Sequence, residues 1–195
     1  MGIGLYRGIV TLEKHNPEWI DSANKTIEKL KQILGSTARD IEHIGSTAIK
    51  NICAKPIIDI VIGVTSLDNI IKYNNILEEN GFSFRGEDHP NQLLYVCGKG
   101  DFITHHIHVA IYDSQVWHNY INIRDYLNTH ETDAKNYDKL KEKLAKEYAN
   151  DRKTYTLKKS DMLNEIIKKA SNWRKGKNDI ISNWYAESIS VWWIT

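Results

Sequence analysis

The sequence predicts an α+β fold, a sheet with flanking helices followed by a helical annex. Three observations lead there. Residues 16–35 carry apolar side chains at spacings of three and four, the run IIDIVIGV (57–64) is apolar enough to lie inside a sheet, and from Ser114 to about Lys175 the chain is rich in helical patterns. The expected division is a core over residues 1–113, a helical annex packed on it over 114–175, and a tail over 176–195.

The first helix opens at Asn16-Pro17-Glu18-Trp19, with Asn16 as cap and Pro17 in the first turn. Ile20, Ala23, Ile27, Leu30 and Leu34 then mark its buried face, and Gly35 ends it. Ile41 and His43 alternate as in a strand, and Ile57 to Val64 form the interior strand. Ser66 to Asn80 reads as one helix closed by Gly81. LLYVC (93–97) and Phe102 to Tyr112 flank Gly98-Lys99-Gly100-Asp101, the composition of a hairpin turn, and so form two antiparallel strands. Annex helices are expected near 114–128, 131–150 and 156–174, separated by polar breaks such as Thr129-His130-Glu131.

Composition narrows the function. With 26 basic and 25 acidic residues the chain has a net charge of +1, which exerts no global pull on nucleic acid or membranes. Any cationic site for an anion must therefore be local. No stretch approaches the roughly 20 apolar residues of a spanning helix. The amino terminus lacks the pattern of a secretory signal, and the two cysteines, Cys53 and Cys97, are then expected as free thiols in the cytoplasm. The tail carries three tryptophans, which offer either docking on the core or a route to self-association.

One stretch stands apart: IEHIGSTAIKNICAKPIIDIVIGV (41–64) sets a polar turn and a lone acid among strands. Leaving a strand and entering a short helical segment, Gly45-Ser46-Thr47 would offer backbone N–H groups and a hydroxyl to a phosphate. A simple helix cap explains the same residues. Asp59, alternating with Ile58 and Ile60, shares a face with Val61, and a carboxylate there is costly to desolvate unless a cation, a donor or a metal meets it. In the later strand, alternation puts Ile103, His105, Ile107, Val109 and Ile111 on one face and Thr104, His106 and His108 on the other. Two imidazoles on one side suit a metal or proton transfer; they equally suit ordinary hydrogen bonding.

Three segments, IEHIGSTAIKNICAKPIIDIVIGV, THHIHVAIYDSQVWHNYINIRDYL and AKNYDKLKEKLAKEYANDRKTYTLKKSDMLNEIIKKASNW, resemble in that order the GrpB-like family of nucleotidyltransferase-fold proteins. The resemblance covers residues 8–174. It implies a small mixed β-sheet flanked by helices, as in the polymerase-beta-like nucleotidyltransferases, followed by a C-terminal helical annex. In that superfamily a Gly-Ser turn grips nucleotide phosphates and strand carboxylates hold divalent metal; Gly45, Ser46 and Asp59 match. The chain departs where it reads Asp59-Ile60-Val61, because a second acid is expected two residues after the first. It departs again where His106 and His108 stand in place of a third acid.

The implied function is transfer of a nucleotidyl group from a nucleoside triphosphate to a small-molecule or protein acceptor. Asp59, His106 and His108 would hold Mg²⁺ or Mn²⁺, or Zn²⁺ given the imidazoles, and carry the catalysis. His43, Gly45, Ser46, Thr47, Lys55, Arg124 and Lys158 would meet the nucleotide and its phosphates, with His43, His106 or His108 as general base. The incomplete acidic set leaves two alternatives: a retired nucleotide-binding module and a metal-dependent hydrolase of a phosphate compound. Membrane and nucleic acid are not among the expected partners.

Overall fold

The computed structural model describes the backbone of residues 2–190 and the side chains of residues 2–177. A six-stranded mixed sheet is its centre. The strands are β1 (Leu5–Tyr6), β2 (Ala38–Ile44), β3 (Ile58–Val64), β4 (Ser83–His89), β5 (Gln92–Lys99) and β6 (Phe102–Ile111), ordered β2-β3-β6-β5-β4 with β1 on the far end of β6. Only β3 and β6 pair in parallel; every other pair is antiparallel. That parallel register sets Asp59 beside His106 and Val61 beside His108.

Helix α1 (Glu18–Leu34) covers one face. Its Trp19, Ala23, Ile27, Leu30 and Leu34 join Ile58, Ile60, Ile62, Ile107 and Val109 in the main core. Each fully buried large side chain contributes about 1.5–3 kcal/mol, so this face supplies much of the folding energy. Asn16 does cap α1: its Oδ1 accepts the Glu18 N–H at 3.0 Å. Ile20, expected on the buried stripe, is 39% exposed, and Trp19 takes that position. The larger indole extends the buried face by one residue at the entry to the helix.

Residues 66–80 form two short helices, α2 (Leu67–Ile71) and α3 (Asn74–Glu79), and not one. The chain leaves helical angles at Tyr73 (φ −94°, ψ 1°), whose hydroxyl accepts a bond from Thr37. The buried Ile70 and Leu77 keep a seven-residue spacing across the break, so their pattern could not show it. The hairpin β5–β6 is as expected, with one correction. A register shift opposite Cys97 and Gly98 inserts an extra residue near Thr104, so Ile103 turns away from His105 and packs with Ile57 and Val96 on the opposite face.

On that opposite face, helix α4 (Gln115–Thr129) sets Trp117 against Ile44, Val61 and Ala110. Helix α5 (Glu131–Glu147) and helix α6 (Arg152–Ser190) follow, and Tyr126, Ala134, Tyr137, Ile166 and Ala170 close around Ile49 and Ile52. Helix α6 starts at Arg152, four residues before its expected start, because Asp151 caps it through the Thr154 N–H at 3.0 Å. The amino-terminal segment laces this start to the sheet: Arg152 N–H reaches the Gly8 carbonyl, and Val10 N–H reaches that of Ala149. The expected packing of the tryptophan-rich tail concerns side chains outside the described residues. Among the described residues no helix is long and apolar enough to cross a membrane, and Cys53 and Cys97 are free thiols.

Candidate functional site

At the centre of the helical face, Asp59 accepts a hydrogen bond at 2.9 Å from His106 Nδ1 through its Oδ1, and His108 Nε2 lies 3.9 Å from the same oxygen. The far nitrogens assign the tautomers. His106 Nε2 lies 3.4 Å from the Arg152 guanidinium, which can only donate, so the proton sits on Nδ1 toward Asp59. His108 Nδ1 lies 3.4 Å from the Gln92 amide nitrogen, while Gln92 Oε1 takes the Tyr120 hydroxyl proton at 2.7 Å. Both imidazoles thus present N–H to one carboxylate. Burial works to raise the Asp59 carboxyl, but the bonds and charges of His106 and His108 overcome it and hold the group well below the usual carboxylate range.

Gly45 closes the other side of Asp59. Its φ of 71° lies in the region that disfavours a side chain, and a Cβ there would stand 2.4 Å from Asp59 Oδ2. The short helical segment expected after the strand is a three-residue 3-10 helix, Ser46–Ala48, too short for a helix dipole to back it. Ser46 and Thr47 line a cleft of ≈ 270 Å³ together with Lys55, Asp59, His106, His108, Lys141, Arg152, Tyr155 and Lys159. Asp59 is the one acid among its lining residues. Lys55 and Lys159 each stand over the Tyr155 ring, 5.6 and 5.5 Å from its centroid. Burial, and then the charges of Arg152 and Lys159, push the Lys55 ammonium down to about 7. Lys141 is held apart from these by the Cys53 carbonyl and by Asp138 at 3.3 Å.

The structure therefore gathers Asp59, His106, His108, Gly45, Ser46, Thr47 and Lys55, and places three expected residues elsewhere. His43 pairs opposite Ile60, on the face toward α1, where its Nε2 meets Thr47 Oγ1 at 2.9 Å; burial pushes it down to about 4. Arg124 is taken up by Glu42, by Asp125 at 2.9 Å and by the His43 carbonyl at 3.0 Å, which leaves it outside the cleft. Lys158 is exposed, and its neighbour Lys159 enters instead. Tyr155 is buried, so the inward stripe of α6 runs through Arg152, Tyr155, Thr156 and Lys159, at spacings of three and four. That spacing was the signal by which Arg152 and Lys159 could have been found.

A divalent metal fits these side chains poorly. Mg²⁺ needs several hard oxygens in near-octahedral array, whereas here a single carboxylate accepts a bond from His106 and has His108 Nε2 3.9 Å away, and the other nitrogens of both imidazoles also have partners. The position of the missing second acid is Val61, fully buried against Trp117. Among the described residues the one trio of ligand atoms lying within 4.8 Å of one another is Cys53, Asp138 and Glu142, on another side of Lys141. There Asp138 already accepts the Cys53 N–H at 2.8 Å, and burial and the two acids push the thiol up.

Comparison with known proteins places the chain. It is 37% identical over 176 residues to the glutamate-rich protein GrpB of Alkalihalophilus pseudofirmus, covering 85% of this chain and 98% of that one. It is 32% identical to the UPF0157 protein YqkA of Bacillus subtilis, over 85% of this chain but only 48% of YqkA. The crystal structure of the conserved protein GrpB from Enterococcus faecalis shares the fold with a TM-score of 0.77 at 28% identity, covering 84% of this chain and 99% of that one. Cid1 bound to the UTP analogue UMPNPP matches 68% of this chain and 42% of its own with a TM-score of 0.47 and 14% identity, too distant to bear on chemistry. A family model described as GrpB protein matches residues 9–169, and the chain belongs to the GrpB family.

Proposed function

We propose that the protein binds a polyphosphate compound, a nucleoside triphosphate being the natural case, in the cleft between the sheet and α6, and that it does so as a binding module without a two-metal transfer centre. The observation that carries this is the convergence of Lys55, Arg152 and Lys159 on a small cleft whose only acid is already hydrogen-bonded. Three cations gathered against a single carboxylate cost folding energy, and a multiply charged anion relieves that cost. The inner cleft is of a size for phosphates alone. A wider depression of ≈ 760 Å³ adjoins it across Arg152 and Thr156, lined by Arg7, Lys153, Leu157 and Ser160, with room for the rest of a nucleotide.

Calorimetric titration of the purified chain with ATP and with inorganic triphosphate tests the proposal. Saturable binding that Arg152→Gln and Lys55→Met each weaken on the order of tenfold is the expected result. Equal binding by a folded double variant would defeat it.

A second reading, transfer of a nucleotidyl group to an acceptor, is favoured by one feature: the Gly45-Ser46 turn lies directly against Asp59, with Ile44 its register partner. Labelled nucleoside triphosphate incubated with an acceptor pool from cell extract would then yield a labelled acceptor and pyrophosphate.

A further inference from the structure

We infer that the cleft takes its polyphosphate free of divalent metal, with Lys55, Arg152 and Lys159 neutralising the phosphates where a metal ion is expected, and that Asp59 anchors two imidazoles and is no ligand to an ion. This rests on the polyphosphate reading above. It departs from what the family resemblance implies, and the reasons are geometric.

The first concerns access to Asp59. His106 and His108 both aim N–H groups at Oδ1, and the Gly45 backbone lies so close to Oδ2 that even a methyl group would not fit between them. An ion would have to displace a proton donor to reach the first oxygen and move the turn to open that side of the second.

Each imidazole is also locked from behind. Arg152 holds His106 Nε2, and the Tyr120–Gln92 pair holds His108 Nδ1, so turning either ring toward a metal would break a second bond. Gln92 is 2% exposed and bonds Asp88 at 2.9 Å as well, which leaves it little freedom to follow.

Charge supplies the third reason. Lys55, Arg152 and Lys159 face Asp59 as the single acid lining the cleft. Burial, and after it the charges of Arg152 and Lys159, lower the affinity of Lys55 for its proton, in keeping with the cations that the cleft gathers. A metal ion would add to that excess, and Mg²⁺ bound to the phosphates would cancel the negative charge that these side chains are placed to meet. A metal-free anion is the better electrostatic complement.

The test is the sign of two effects, read by calorimetry on the full chain with inorganic triphosphate and with ATP. In EDTA both should bind, and excess Mg²⁺ should weaken them severalfold. Asp59→Asn keeps an acceptor oxygen for His106 and removes a negative charge beside the cations; it should tighten binding severalfold. Tighter binding of ATP than of triphosphate would bring in the outer depression, and equal binding would confine recognition to the phosphates; both accord with the inference.

Binding that requires Mg²⁺, or that a folded Asp59→Asn variant loses, would overturn it and leave the polyphosphate reading standing. No binding with or without metal would instead remove the polyphosphate reading itself. Should Asp59→Asn fail to fold, titration of the native chain with Mn²⁺ decides independently. The imidazole resonances of His106 and His108 should keep their widths, and selective broadening at low Mn²⁺ would place an ion at Asp59.

Discussion

Strand β6 carries His105 and His106 side by side, and the sheet sends them to opposite fates. His105 faces α1, where Ser22, Thr26 and Thr104 surround it with hydroxyls at 3.3, 3.2 and 2.9 Å, and burial pushes it down to about 4. His43 joins it on that face, bound to Thr47. His106, one residue on, meets a carboxylate and an arginine and opens to the cleft. A histidine's chemistry is set by the face it occupies: burial keeps the α1 pair neutral and structural, whereas the other pair stands against the Asp59 carboxylate in the candidate site.

The sharpest way to break this contrast is Gly45→Val, which strikes the cleft face alone. A branched side chain at φ 71° and against Asp59 Oδ2 should destabilise the protein by about 3 kcal/mol or more, seen as a lowered midpoint in thermal or urea unfolding. An unchanged midpoint would mean that the turn is not pressed on Asp59.

Acid separates the two faces next. His43 and His105 have folded pKa values of about 4 against an ordinary 6.5, so between those values the unfolded chain binds more protons and stability rises with pH. Their contribution is fully present above about 6.5 and is lost as pH falls toward 4, on the order of a few kcal/mol together. Urea midpoints measured from pH 7 down to 4 should fall accordingly, and a double His43→Gln, His105→Gln variant should flatten the profile. Ligand affinity should run the other way. In the proposed polyphosphate complex Lys55 would meet phosphate as the ammonium, so affinity should weaken as pH rises through about 7, an effect that Lys55→Met removes.

The smallest expected effect sharpens the helix face. Lys159→Gln should cost severalfold in triphosphate affinity, while Lys158→Gln, one position away and exposed, should change it by less than about twofold. Equal losses would point to a diffuse basic helix and not a built cleft.

Sequence patterns showed what periodicity can show. Helix α1 was legible because its buried face repeats at 3.6 residues, strand β3 because a continuous apolar run is buried on both faces, and the β5–β6 hairpin because a glycine-rich turn joins two apolar strands. Strand β4 was not, since SFRGEDH is an edge strand of mostly exposed polar residues with two register shifts and so carries no alternation. The two-residue β1 is too short for any pattern.

In the site, Asp59, His106 and His108 were legible as types of residue in strands of known facing. Their adjacency was not, because it depends on β3 pairing in parallel with β6 across two intervening helices and two intervening strands. The cations were hidden by abundance. Lys153, Lys158 and Lys159 crowd two helix turns, and only the buried Tyr155 tells which of them faces inward. Arg124 looked free and was already paired with Glu42.

The parallel pairing of β3 with β6 has a kinetic side. The bond from His106 to Asp59 joins residues 47 apart in the chain, and that from Arg152 to His106 joins residues 46 apart. Each closes a long loop whose entropy must be met before the contact returns anything, so neither can form in a local nucleus. The hairpin β5–β6 and helix α1 can begin on their own; the cleft waits for the central strands to zip and for α6 to dock. Amide exchange at the β3–β6 junction should then slow only with the last, global phase of refolding. A cell holding this chain half-folded would hold helices and a hairpin with the cleft not yet formed.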